Sequence, residues 1–127
     1  MSYCEKNGCL ILQKCDCDYT PMYCEENIWK LCKKVSASLE DLNCCSVVFI
    51  SNKNRMVPLW KQRVAETVGR DYVIWDYHVI LLYSKSGSVL VYDFDTALSF
   101  PCDAQTYWIE TFHPELNLNA NYHRYRQ

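Results

Sequence analysis

Cys24, His78 and an aspartate pair, Asp93 and Asp95, follow one another in an order suited to covalent acyl transfer. A cysteine acts as a nucleophile through its thiolate, and free N–H groups with the positive dipole end of a helix favour that form. A histidine that donates one ring N–H to a carboxylate has a fixed tautomer and a stabilised imidazolium. Its other nitrogen is then free to take the thiol proton, and the pair can attack an acyl carbon. Each residue also has a plainer role open to it. A helix-start cysteine can be structural, a histidine in an apolar strand can be a satisfied core residue, and aspartates end strands because they favour turns.

The elements that must hold these groups are legible in part. Ile28, Leu31, Cys32, Val35 and Leu39 recur at helical spacing as one apolar stripe. Glu25 and Glu26 fall in the first turn and Lys30, Lys33 and Lys34 further along, the charge order a helix dipole prefers. Pro21 discourages an earlier start, so Cys24 is expected at or just before the first turn, and Ser38-Leu39-Glu40-Asp41 breaks the pattern. Residues 46–51 read as a buried strand and 52–55 as a turn. Residues 56–60 read as a partner strand that Pro58 confines to an edge or an end. Residues 61–71 are polar and read as a loop with room for a helical turn.

Residues 72–83 form one long β-type run, expected as a central strand, and residues 88–95 return as its hairpin partner after the tight turn Ser84-Lys85-Ser86-Gly87. A two-residue loop at Lys85-Ser86 makes paired numbers sum to 171 and sets Asp93 opposite His78 on one side of the sheet. A four-residue loop from Lys85 to Ser88 makes the sum 173 and sets Asp95 there, while a three-residue loop sets Phe94 there. The turn length stays open. Residues 104–112 read as helical, and the tail from Asn117 has no clear period.

A chain of 127 residues, half of them apolar, fits a single domain, 1–127, with a modest core. A net charge of −2 gives no reason to expect nucleic acid or an anionic membrane as partner. No apolar run approaches the roughly 18 residues of a membrane span. Met-Ser-Tyr-Cys-Glu-Lys lacks the basic and apolar regions of a signal peptide, so secretion is not expected. Nine cysteines, an odd number without a secretory signal, imply mostly free thiols in a reducing compartment. Cys4, Cys9, Cys15 and Cys17 sit in an N-terminal arm, residues 1–19, and do not form paired C-x-x-C knuckles. They leave a non-catalytic zinc-binding interaction module as the alternative of a different class. Cys44-Cys45 read as small buried hydrophobes, the four tryptophans as core, and His113 and His123 as solvated surface.

Tyr23-Cys24-Glu25-Glu26-Asn27-Ile28-Trp29-Lys30-Leu31-Cys32 resembles the nucleophile segment of the protein N-terminal glutamine amidohydrolases. Val48-Phe49-Ile50-Ser51-Asn52 and Met56-Val57-Pro58-Leu59-Trp60-Lys61-Gln62 are similar to the segments that follow in that family. Val73-Ile74-Trp75-Asp76-Tyr77-His78-Val79 resembles its WDYHV signature, and Tyr92-Asp93-Phe94-Asp95-Thr96 with Phe100-Pro101-Cys102 its acidic segment. The matches run in order over roughly residues 20–112, a linked set far more specific than any one of them.

The resemblance implies a monomeric α/β (α+β) thiol hydrolase of papain-like or transglutaminase-like layout. Its central sheet would be mostly antiparallel, with the nucleophile at the start of a packed helix. It implies Cys24 as nucleophile, His78 as base and acid, and Asp93 as the triad acid with Asp95 as fallback. The implied reaction converts the side-chain amide of an N-terminal glutamine to glutamate with release of ammonia, through a thioester on Cys24. It would use no cofactor, act on proteins or peptides in the cytoplasm and nucleus, and feed the arginine branch of the N-degron pathway. Family members continue well past the position of Gln127, so the family's C-terminal part is expected to be missing. Another thiol acyl-transfer reaction, peptidase or transglutaminase, is the nearest alternative, and an inactive relative that recognises N-terminal glutamine is a third.

Overall fold

The structure, a computed structural model, describes residues 24–115 with their side chains and three flanking strands by their backbone: β1 (Tyr3–Lys6), β2 (Cys9–Leu12) and β9 (Tyr125–Arg126). The zinc-module alternative, which rests on Cys4, Cys9, Cys15 and Cys17, lies outside the described side chains, as does His123.

Helix α1 (Cys24–Val35) begins on Cys24 itself. It buries Asn27, Ile28, Leu31 and Val35, with Glu25 and Glu26 at its start and Lys33 and Lys34 at its end. Leu39 does not continue the stripe. It opens a second short helix, α2 (Leu39–Asn43), behind the N-cap Ser38, and is 73% exposed. A serine that accepts the Asp41 N–H satisfies a helix-start donor, which makes a new start here more stable than extension of α1.

β3 (Cys45–Ser51) and β6 (Tyr77–Lys85) pair antiparallel, and β7 (Ser88–Tyr92) and β8 (Cys102–Asp103) complete an antiparallel sheet in the order β8-β7-β6-β3-β9. Ile28, Leu31 and Val35 of α1 pack on Val79, Leu81 and Tyr83 of β6 and on Tyr92 and Phe94. Burying each such side chain is worth about 1.5–3 kcal/mol. The alternate residue Ile80 of β6 joins Val48, Ile50 and Val91 against α4 (Ala104–Phe112) through Tyr107 and Phe112. No helix among the described residues is long and apolar enough to cross a membrane.

Two expectations are corrected. The run 72–83 is not one strand: β5 (Tyr72–Trp75) ends at Asp76, whose carboxylate accepts the Tyr77 N–H at 2.9 Å, and β6 starts afresh. β4 (Val57–Trp60) therefore pairs with β5 in a separate two-stranded sheet, rather than with β3. Residues 61–71 contain the short helix α3 (Arg63–Thr67), the helical turn that the loop reading allowed.

The hairpin register also differs from the two-residue loop at Lys85-Ser86. Lys85 pairs with Ser88 and Leu81 with Tyr92, a sum of 173. The turn is Ser86-Gly87, both at positive φ (56° and 79°), the backbone of a type I′ turn that matches strand twist. Tyr92 is the last residue of β7, so Asp93 is not opposite His78 in the ladder.

Candidate active site

Cys24 is half-buried at the first residue of α1, where the first-turn N–H groups have no intrahelical acceptor. His78, the second residue of β6, is fully buried. Its Nε2 bonds Asp93 Oδ1 at 2.9 Å. Asp93, buried just beyond β7, also accepts the Asp95 N–H on Oδ1 at 2.9 Å and the Tyr107 hydroxyl on Oδ2 at 2.7 Å. Three donors thus converge on one carboxylate. The chain reaches this arrangement by turning after Tyr92, so the local Asp93–Asp95 bond does what cross-strand pairing was expected to do.

His78 Nδ1 is buried without a hydrogen-bond partner. With Nε2 engaged by Asp93, it is the nitrogen left for Cys24, whose thiol lies close enough to raise the ring's proton affinity. Burial opposes the charge on His78, but the Asp93 charge and hydrogen bond, with Cys24, carry its pKa up to about 10. Burial likewise opposes the charge on Asp93, yet the His78 charge, the His78 and Tyr107 bonds and the Asp95 N–H hold it below the usual carboxylate range. Burial and the neighbouring Asp93 push the Tyr107 phenol well up, so it acts as a donor only.

Burial raises Cys32 and Cys102, and burial with neighbouring Cys32 and Cys44 pushes Cys45 up to about 12, which keeps these three neutral and poor nucleophiles. Cys24, Cys32, Cys44, Cys45 and Cys102 are all free.

The acid-bearing turn is clamped from the segment between β4 and α3. Arg63 N–H donates to the Asp95 carbonyl at 2.9 Å and Ala97 N–H to the Lys61 carbonyl at 2.6 Å. The Arg63 guanidinium donates to the Phe94 carbonyl at 2.9 Å, and Gln62 and Thr96 form a β-bridge. Trp75 stacks on the His78 ring, centroids 5.5 Å apart and planes 11° apart, and its indole N–H donates to Gln62 Oε1 at 3.2 Å. Glu25 accepts the Tyr77 hydroxyl at 3.3 Å, linking the residue after Cys24 to the residue before His78. Among the described residues, His78, Asp93 and Asp95 present ligand atoms within 4.8 Å of one another, a spacing open to a metal ion. Two of the three are already joined by the His78–Asp93 bond.

The structure thus brings together Cys24, His78 and Asp93, with Asp95 contributing its backbone N–H to Asp93. Sequence reasoning missed Tyr107, Trp75 and Gln62. A tyrosine on the inner face of a helix needs a partner for its hydroxyl, and that requirement was the available signal for Tyr107.

A pH dependence of stability follows. The His78 value in the fold, about 10, lies above its ordinary 6.5, so its share of stability is complete below 6.5 and is lost as pH rises through about 10. The Asp93 share has the opposite sign and is lost only on acidification. In Cys24→Ala, where no thiolate accompanies the imidazolium, the thermal midpoint, followed by circular dichroism, is expected to fall from pH 6.5 upward with a slope approaching that of one proton. Measurement is held to roughly pH 7.5, below the range near 8.5 in which the thiols of the unfolded chain ionise. Asp93→Asn is expected to flatten the slope; an unchanged slope would refute the pairing.

Residues 19–127 match the family model described as N-terminal glutamine amidase. Over 113 residues the chain is 46% identical to the protein N-terminal glutamine amidohydrolases of Drosophila pseudoobscura pseudoobscura and Drosophila ananassae. It is 45% identical to that of Drosophila virilis over the same length. Each alignment covers 87% of this chain and 54% of the relative. The chain spans about half the length of the curated relatives it matches.

Proposed function

The chain belongs to the N-terminal glutamine amidase family, and from that premise we propose that it hydrolyses the side-chain amide of an N-terminal glutamine to glutamate, releasing ammonia. The observation that carries the reading is His78 itself. The ring is fully buried, engaged on Nε2 by Asp93 and unbonded on Nδ1, with the thiol of a helix-start cysteine beside it.

In this reading Cys24 and His78 form a thiolate–imidazolium pair. The thiolate attacks the glutamine Cδ, and the backbone N–H at Cys24 is a donor for the developing oxyanion. His78 protonates departing ammonia, then takes a proton from the water that hydrolyses the thioester. Asp93 holds the ring in its tautomer and balances its charge, and Tyr107 holds Asp93. The layer order supports a papain-like or transglutaminase-like layout, with helix α1 packed on an antiparallel sheet.

The same reading makes the chain one catalytic domain, a monomer acting without a cofactor on protein or peptide amino termini. We assign it to the cytoplasm and nucleus, in the arginine branch of the N-degron pathway. The five cysteines among the described residues, all free, fit a reducing compartment.

The test is mass spectrometry of a Gln-initiated peptide incubated with the folded 127-residue chain. The expected product is heavier by about one dalton, an amide NH2 exchanged for OH by acyl transfer to water. An N-acetylated peptide and an internal glutamine stay unchanged. A folded chain that leaves the Gln peptide intact overturns the proposal, and cleavage or cross-linking redirects it to peptidase or transglutaminase chemistry.

A further inference from the structure

Trp75 and His78 are three residues apart, yet their rings stack because the chain breaks at Asp76 and β6 starts anew. The indole is itself held: its N–H donates to Gln62, which is completely buried. Gln62 in turn bridges Thr96 in the turn that carries Asp93. The contacts close a ring, from Thr96 through Gln62, Trp75, His78 and Asp93 back to the same turn. We propose that Gln62 and Trp75 are positioning residues for His78, with Trp75 stabilising the imidazolium across its face and Gln62 locking the indole in place. The inference rests on the role of His78 as base in the proposed amidase reaction.

Two physical reasons support it. A single Nε2–Asp93 bond leaves the imidazole free to rock about χ2, a broad torsion for histidine, and a nearly parallel ring against its face removes that freedom. An indole face also attracts a cation, and does so more strongly where water is excluded, as it is around His78. An acceptor on the indole N–H draws positive charge to the ring edge and leaves the face richer in electrons. The charged and titratable groups facing His78 are Asp93 and Asp95 beyond β7 and Cys24 from α1, with Tyr107 of α4 acting through Asp93.

The test reads the ion pair without requiring a glutamine substrate. The full chain is alkylated with iodoacetamide across pH 4–9, and the rate at Cys24 is taken from peptide-resolved mass spectrometry, because other thiols are present. Trp75→Leu is expected to move the acid edge of Cys24 alkylation to higher pH and to lower the rate at mildly acidic pH about tenfold, because the imidazolium, charged on both sides of that edge, is held less closely against the thiolate once the ring can rock. Trp75→Phe keeps a smaller aromatic face and is expected to fall between Trp75→Leu and the parent. Gln62→Leu is expected to shift the edge in the same direction by less. A purely structural role would lower the melting temperature of these variants and leave the edge in place. The proposal is overturned if folded Trp75→Leu, or folded Trp75→Phe where the leucine variant does not fold, keeps the parental edge. It is overturned for Gln62 if Gln62→Leu, or Gln62→Met as the flexible substitute, folds and keeps that edge. A shifted edge in a chain that deamidates nothing overturns the amidase reading and leaves this one standing.

Discussion

Cys24→Ala is expected to abolish deamidation of Gln-initiated peptides, with turnover falling by roughly five to six orders of magnitude. The size follows from covalent catalysis: without the sulfur there is no acyl acceptor, and the buried His78–Asp93 pair has nothing to deprotonate. Fold stability should stay within about 1 kcal/mol, since the lost atom is small and the site half-buried. Ammonia release and a melting curve on the same sample separate the two effects. Cys32→Ala and Cys45→Ala are the controls, because burial holds those thiols neutral and neither lies in the proposed chain of proton transfer. Loss of activity on replacing either of them, with Cys24→Ala still active, would refute the assignment.

Asp93→Asn is expected to lower kcat by roughly three to four orders of magnitude, the scale set when a triad histidine loses its orienting carboxylate. It should also destabilise the fold by about 3–5 kcal/mol, as breaking one side of a buried ion pair does. The reason is the donor count. His78 Nε2, the Asp95 N–H and the Tyr107 hydroxyl all donate to this carboxylate. An asparagine offers one oxygen, and its NH2 then faces a donor, so at least one buried N–H or O–H loses its acceptor. Asp95→Asn should cost far less activity, because Asp95 serves Asp93 through its backbone N–H, which the substitution keeps. Equal losses in the two variants would refute the assignment of Asp93 as the orienting acid.

How the sequence reached Asp93 is instructive, because its route was not the molecule's route. Helical spacing and charge order located α1 and its start at Cys24, since a single stripe of Ile28, Leu31 and Val35 has one periodicity and one face. The hairpin of β6 and β7 was equally plain. Its register was not, since a one-residue choice at the turn depends on which residues accept positive φ, and Ser86 does so beside Gly87. The aspartate meets the histidine through a turn beyond the ladder, and local propensity carries no record of that. The division of residues 72–83 was invisible for a related reason: every residue but Asp76 suits a strand, and the break depends on a side chain bonding its neighbour's N–H. Tyr107, Trp75 and Gln62 belong to the site only through packing, of α4 on the sheet and of the β4–β5 ribbon over His78, and no sequence period reports such contacts.

The turn that carries Asp93 is tied to residues 61–63 largely by main chain, with Arg63 N–H on the Asp95 carbonyl and Ala97 N–H on the Lys61 carbonyl. Peptide groups are common to every amino acid, so most substitutions at 61, 95 and 97 leave those ties intact. The acid's location is thereby insulated from drift in the side chains around it. Proline is the exception: at 63 or 97 it deletes a donor of these ties, and at 95 it deletes the N–H that Asp93 accepts. A library randomised at 61 and 97 should therefore keep its fold wherever proline is excluded and, at 61, where φ is 56°, β-branched residues as well, which makes these two positions a place to retune the surroundings of the site without moving its carboxylate.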